Sequence, residues 1–448
     1  MAIQTYAAAT NLMKRVYGPG IRDQLNNETL LLGLLKRVGK EKWGGQGFYE
    51  ALRTGRNRST VPGYETSVLP TAMRQAFSNF IIACRQYHGQ GGFTAFGAAA
   101  TALSDAAFGS MVKTEVDGLI ADAKKDFNID FYGTELGVLG KVNGAPGGAG
   151  TTFVVDGAQN VNAWLQHGTR YLSVGQELSF VKEDDGLVRA NNTTVTAITG
   201  TLTFTGSASA TAADNDLIVR ASALGAPGFA GTSVPSAFTG LEQLIDDLST
   251  MPTAATAGGY DLDAIQGIDR NTAANTFARG NVLDLNNAAL SETAIQNLVY
   301  RIEENSGMYP DVFLTHRSVQ SAFQQLLVGD RRFVPQKFPG GFQADALVYN
   351  AGDKDIPIIV DRECPYDRLY ALNLDALKMY MLKDIEMIEE SGSILRQDAA
   401  GSDAWNFGFR MFGNLGSPQP NALGKMVRIG GADERYGVAG TGLVVSTF

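Results

Sequence analysis

Apolar and polar positions alternate along this chain in blocks of different period. From 46 to 90 the period is two: GFYEALRTGRN runs out and RQAFSNFIIACRQYHG comes back, around the polar RSTVPGYETSVLP with Pro62 and Pro70. This predicts a long hairpin, and because two strands alone are marginal in water it is expected to lie on something, with a neighbouring subunit as the candidate. Over 101–131 the period becomes 3.6. Phe108, Met111, Val112, Val116, Leu119, Ile120, Ala123 and Phe127 recur at i, i+3, i+4, with Asp and Lys opposite and Ser104 placed to cap the start. About 28 residues give a rod of roughly 40 Å. Upstream, Leu30, Leu31, Leu32, Leu34 and Leu35 predict a short helix in an arm, 1–45, that has no mass of its own to bury them, which implies a partner surface.

KVNGAPGGAG at 141–150 reads as a loop. Thr, Val and Gly then dominate 151–222, with strands expected near Thr152–Val155, Gln176–Val181, Val195–Ile198, Leu202–Thr205 and Leu217–Val219, a small barrel or sandwich closed by GAPGFAG at 225–231. Residues 232–383 read as mixed α/β. Helices are expected at 238–249, 291–305 and 317–328, and strands at Val312–Thr315, Ile356–Asp361 and Leu369–Leu374. Near the end, Trp405, Phe407, Phe409 and Met411 alternate with Asn406, Gly408 and Arg410, as in a half-buried strand. The Gly-rich stretch 430–448 gives no clear element.

The chain has 448 residues, 44% apolar and 19% charged, enough for a large core and more than one domain. Its net charge of −9 argues against a protein that grips duplex DNA through a basic face. The charge is uneven. Residues 1–58 hold ten Lys/Arg and four Asp/Glu, a balance of +6 that leaves −15 for the rest. A basic arm on an acidic body suits docking onto another copy of the chain. Cys84 and Cys364 lie too far apart in sequence for a disulfide framework or a zinc pattern. The start lacks a charged-then-apolar signal segment, and no apolar run is long enough for a membrane span. Synthesis and folding in a cytoplasm are therefore expected.

Candidate chemistry is thin. His88, His167 and His316 are scattered and form no metal-ligand spacing. No G-x-S-x-G elbow and no phosphate loop occurs, and the glycine clusters at 89–92 and 144–149 read as turns. Cys364 with His316 is a conceivable thiol–base pair, although nothing in the sequence brings them together, and a free cysteine is more often a buried apolar residue. Glu389 and Glu390, before Ser391 and Gly392, fit a turn or solvated edge better than an acid/base pair. The Asp214–Asn215–Asp216 triplet lacks the remaining ligands of a calcium loop and reads as a turn. No catalytic, cofactor-binding or metal residue is assigned, no cofactor is expected, and an enzyme is not the expectation.

The most telling stretch is 357–429. A strand, NLDALKMYML, leads to an acidic turn ending in Ser391–Gly392, then DAWNFGF, then NLGSPQPNALGKM. It resembles the C-terminal part of tailed-bacteriophage major capsid proteins, and the order of arm, hairpin, long helix, α/β region and aromatic strand resembles theirs. The resemblance implies an α+β capsid fold. It has an N-terminal arm at 1–45, an extended hairpin loop at 46–91 and a peripheral domain from 92–150 with 384–430. An inserted β-rich domain lies at 151–222, an axial domain at 223–383 and a tail at 431–448. It also implies a virion protein assembled in a bacterial cytoplasm. Such a chain builds hexamers and pentamers of an icosahedral shell around double-stranded DNA. Its partners would be itself, through the arm and hairpin, then a scaffolding protein, a portal, possibly a decoration protein, and the DNA, held non-specifically; no membrane is implied. Only about 45 residues precede the hairpin, so the scaffold is expected to be a separate protein. Relatives that cross-link a hairpin lysine to a neighbour's asparagine set a further contrast, because no lysine lies between Lys42 and Lys113. Two alternatives stay open: an encapsulin-type compartment shell, which shares the fold, and an α/β enzyme of unknown chemistry.

Overall fold

The computed structural model describes residues 30–38, 47–65, 68–96, 111–144, 151–156, 168–182, 188–200, 203–207, 212–220, 237–250, 263–326, 347–351, 354–389, 393–397 and 403–430. Most of the arm, Ser104, Phe108, His167, residues 225–231, Glu390 to Gly392 and the tail 431–448 lie outside them. The chain forms two compact units: Met1–Glu28, His88–Lys124 and Glu386–Arg410 make the smaller, and Thr29–Tyr87, Lys125–Ile385 and Met411–Phe448 the larger.

The larger unit is built on a six-stranded mixed sheet. In spatial order its strands are Asn281–Asp284, Gly424–Val427, Leu369–Leu372, Val312–Thr315, Asp355–Val360 and Leu347–Asn350. Strands Leu369–Leu372 and Val312–Thr315 are buried at every position, which explains why they read as short apolar runs without alternation, and Gly424–Val427 is buried throughout although it carries Lys425. Helix Glu292–Ser306 packs its stripe of Ile295, Leu298, Val299 and Ile302 into the same core as Phe313, Leu369 and Met426. Ser291 caps its start by accepting from Ala294 N, and Gly307, at φ 72°, ends it. The helix comes so close to the sheet that a Cβ on Gly424 would meet Ile302 at 2.6 Å. Helix Arg317–Leu326 follows Val312–Thr315, as the pattern predicts.

The helix expected at 238–249 is a single turn, Leu241–Leu244. Asp246 accepts from Leu248 N at 2.8 Å and Asp247 from Ser249 N at 3.1 Å, and Leu248 takes φ 77°. Carboxylates that bond the backbone two residues on compete with the helical ladder. The arm also departs from expectation. Leu31 and Leu35 are already buried within the chain, and Lys36–Val38 pairs in parallel with Lys378–Tyr380. Leu31 and Leu35 therefore need no partner to cover them.

The expected hairpin is present as Gly47–Gly55 against Ala76–Ala83, antiparallel, in register Gly47↔Ala83. Its return is not one continuous strand: it breaks at Cys84, and Arg85–Thr94 pairs instead with Ala404–Gly416.

The β-rich segment forms a closed barrel. Its strands run Val138–Lys141, Leu217–Arg220, Glu177–Val181, Val188–Gly200, Thr203–Gly206 and Thr152–Val154, and a bridge between Val142 and Val155 joins the two ends. Stacked Phe153, Phe180 and Phe204 fill it, with Leu139, Leu178, Val195 and Ile218. Its first strand comes from before 141, directly after the long helix, Met111–Tyr132.

In the smaller unit, Arg396 and Gln397 pair with Asn406 and Trp405. Phe407 and Phe409 are buried and Arg410, on the other face, is only partly so, as the period of two predicts. The Phe409 ring lies against Gly89, where a Cβ would sit 2.0 Å from it. Only glycine admits that approach.

Candidate assembly interface

The hairpin has two faces of opposite character. Phe48, Glu50, Leu52, Phe80 and Ile82 face inward. Phe80 packs with Ile268, Ala278 and Phe277, and Ile81 N donates to Gln266 O at 2.8 Å. Tyr380 OH donates to Glu50 Oε2 at 2.6 Å while its ring lies 4.6 Å from Phe48. Burial and then Glu50 push the Tyr380 phenol well up, so it stays a donor. The base of the hairpin is thus pinned to its own chain, which corrects the expectation that the whole of 46–90 lies on a neighbour.

The outer face is unlike the inner. Tyr49 and Ile81, which are directly paired, and Phe77, paired with Arg53, are exposed. Beyond the paired strands the loop carries Tyr64, Val68 and Leu69, exposed at 91%, 93% and 89%, together with Val61 and Met73. Arg53, Arg56, Arg58 and Arg74 sit among them. Isolated exposed apolar residues are ordinary, but a concentration on one projecting element marks a surface made to be covered.

The centre of the larger unit reverses this pattern. Lys425, fully buried, donates to Glu242 O at 2.8 Å, Glu242 Oε1 at 3.1 Å and Thr250 Oγ1 at 3.0 Å, and lies 3.6 Å from Asp246. Tyr370 OH donates to Glu242 Oε2 at 2.7 Å. Arg368 pairs with Asp367 at 2.5 Å and approaches Glu242 at 3.4 Å. Burial opposes the Arg368 charge, and Asp367 and Glu242 more than offset it, so the guanidinium is held above its usual value. Arg270 donates to the carbonyls of Asp263, Gln243 and Asp246. The sequence pattern missed this cluster. Its one local signal is acid at positions 242 and 246 in an otherwise apolar stretch.

Cys364 and His316, the conceivable thiol–base pair, both stand at the turn that carries Tyr366. Cys364 is buried, and burial with Asp361 beside it pushes the thiol well up. His316 lies edge-on to Tyr366, and its Nδ1 accepts from Ser318 N at 3.1 Å. Burial, then Arg170, lowers its pKa to about 3 and keeps the ring neutral. Cys364 therefore stays a thiol near neutral pH, and His316 a neutral, weakly basic imidazole. His88 is exposed on a strand, and Glu389 is exposed just beyond the strand Lys378–Met387. The Asp214–Asn215–Asp216 triplet is a turn: Asn215 has φ 69°, Asp214 accepts from Gly144 N, and Asp216 pairs with Arg189 at 2.7 Å. Among the described residues no group of metal-ligating side chains occurs, and no helix is long and apolar enough to cross a membrane.

This architecture has known counterparts. The fold is similar to the capsid subunit of Cyanophage A-1(L), at TM-score 0.52 and 14% identity over 95% of this chain and 99% of that one. It is similar also to the capsid of a native GTA particle, at TM-score 0.50 and 8% identity over 95% and 99%. The empty GTA particle gives the same values. No curated protein matches by sequence. Residues 219–393 match the SU10 major capsid protein family. The molecule is a shell-building capsid protein with the tailed-phage capsid fold. The family match covers the α/β region, and the place it points to is the virion capsid.

Proposed function

We propose that this chain assembles into hexamers and pentamers of an icosahedral shell around double-stranded DNA, with the hairpin tip covered by a second copy. The observation that carries the reading is the exposed apolar set Tyr64, Val68 and Leu69 on a hairpin whose base is fixed to its own chain. In the same reading 1–45 is an arm and 46–91 the extended loop. Residues 92–150 with 384–430 make the peripheral domain and 223–383 the axial domain, with 151–222 inserted and 431–448 a tail. A scaffolding protein and a portal act on the same shell. The chain itself catalyses nothing. Its DNA contact is non-specific, in keeping with a net charge of −9.

The shell is held without hairpin-lysine amide bonds, because an amide cross-link needs an amine and 43–112 contains no lysine. Mature particles boiled and run on a denaturing gel should give one band at the mass of a single chain; a ladder mapped to the hairpin contradicts this. Expression with a scaffolding protein should give closed particles in the electron microscope, and monomers under every salt and concentration condition contradict the reading. Particles filled with protein cargo instead of DNA would point to the encapsulin-type shell.

A further inference from the structure

The inserted barrel has its own filled core and, as a closed sheet, no edge that must be paired. It is nonetheless fastened to the α/β body by polar groups. Arg170, just before the strand Glu177–Val181, places its guanidinium 4.2 Å from the Tyr366 ring centroid and 5.3 Å from that of Tyr171. It donates to Cys364 O at 2.8 Å, and Tyr171 OH donates to Glu363 O at 2.6 Å.

The turn that receives these bonds is braced from the body side. Asp361 accepts from Glu363 N at 2.9 Å and from Tyr132 OH at 2.8 Å, and Ser318 Oγ donates to Tyr366 O at 2.6 Å. A second attachment lies at the end of another barrel strand. Arg220 pairs with Asp130 at 2.5 Å and Asp126 at 3.2 Å on the long helix. One attachment leaves a barrel free to pivot; two on separate strands fix its rotation.

We propose that Arg170, clamped between Tyr171 and Tyr366, is the positioning residue that locks the inserted barrel onto the α/β body, with Arg220 as the second pin. The barrel then moves with the six-stranded sheet and the end of the long helix, which Asn128 and Tyr132 tie to Asp361, as one rigid piece instead of hanging as a tethered module. A planar guanidinium is suited to this because it stacks on two rings while its in-plane N–H still reaches a carbonyl. The inference rests on contacts within one chain and not on the assembly reading.

Hydrogen exchange on the full-length protein, in whatever assembled state it adopts, tests it. In Arg170→Ala the amides of Leu172, Glu363 and Cys364 should exchange about tenfold faster. Phe180 and Phe204 in the barrel and Leu314 and Tyr370 in the body should stay within about twofold of the parent. Arg170→Lys keeps the charge and loses the stacking plane, so it should behave like the alanine variant. Should Arg170→Ala fail to accumulate, Tyr366→Leu removes the other half of the clamp and should show the same local pattern. Unchanged exchange at the joint, uniform acceleration through barrel and body, or full protection in Arg170→Lys would each overturn the latch. The readout needs no shell, so failure of the chain to assemble leaves this test intact.

Discussion

The hairpin and the centre of the larger unit invert the usual distribution of side chains. The hairpin puts Tyr64, Val68 and Leu69 in solvent; the centre puts Glu242, Asp246, Arg368 and Lys425 almost completely out of it. Each arrangement is unfavourable by itself, and each becomes intelligible through what it faces. Buried charges are tolerable because every one has an opposite charge beside it, and they fix a single arrangement of the strands and turns that carry them. Exposed apolar groups are tolerable if, as proposed, a second copy covers them. On the proposed reading, stability resides in the body and the hairpin base, and association in the hairpin tip.

That division can be broken by mutation. The largest effect should come from Val68→Asp with Leu69→Asp. Charges at the hairpin tip should abolish particle formation while leaving thermal stability within about 0.5 kcal/mol, since both side chains stand in solvent within their own chain. Sedimentation and calorimetry on the same preparation check both halves, and a large loss of stability would erase the contrast between the regions.

Next comes Lys425→Met, which leaves Glu242 and Asp246 short of a cation in a dry site. Breaking a buried ion pair from one side should cost about 3–5 kcal/mol. Denaturant unfolding of Lys425→Met, of Glu242→Gln and of the double variant measures it. The double variant should be less harmed than the sum of the singles.

His316 gives a smaller effect with a definite sign. Its folded pKa is about 3. An unfolded histidine titrates near roughly 6.5, so between those values the unfolded chain binds the extra proton. Its contribution is fully present above about 6.5 and is lost as pH falls toward the folded value, at no more than about 1.4 kcal/mol per pH unit. Stability of His316→Asn should fall less steeply over that window, and an unchanged slope would show that other groups carry it. The smallest change is Tyr380→Phe, which removes the bond to Glu50 and should cost about 1 kcal/mol without preventing assembly. Failure to assemble would mean that the angle of the hairpin base matters as much as its tip.

The periodic elements were legible in the sequence because local pattern and tertiary burial agree there. The hairpin strands, the helix at Glu292–Ser306, the barrel strands and the alternation through Phe407 and Phe409 all follow from residues that pack where their period points. Three things were not legible. The helix expected near 238–249 is cut short by Asp246 and Asp247, whose carboxylates take backbone donors. By local pattern alone the leucines at 31 and 35 need a partner, whereas the chain's own structure covers them. The ionic centre joins residues 242, 246, 368 and 425, a constellation that no spacing rule encodes. The resemblance itself rests on 357–429, whereas the matched capsid-family sequence lies at 219–393, mostly upstream in the α/β region. The sequence likeness to that family is therefore carried by the packed body, while the likeness of fold spans 95% of the chain. The tip of the hairpin reads as polar in sequence, and its exposed apolar set of Tyr64, Val68 and Leu69 became visible only in the structure.

The most direct test of the account is a cryo-electron microscopy reconstruction of particles assembled from the full-length chain. The account predicts closed shells in which Tyr64, Val68 and Leu69 are buried against a second copy while Phe80 and Ile82 remain packed on their own. Shells in which those three tip residues face solvent would contradict it.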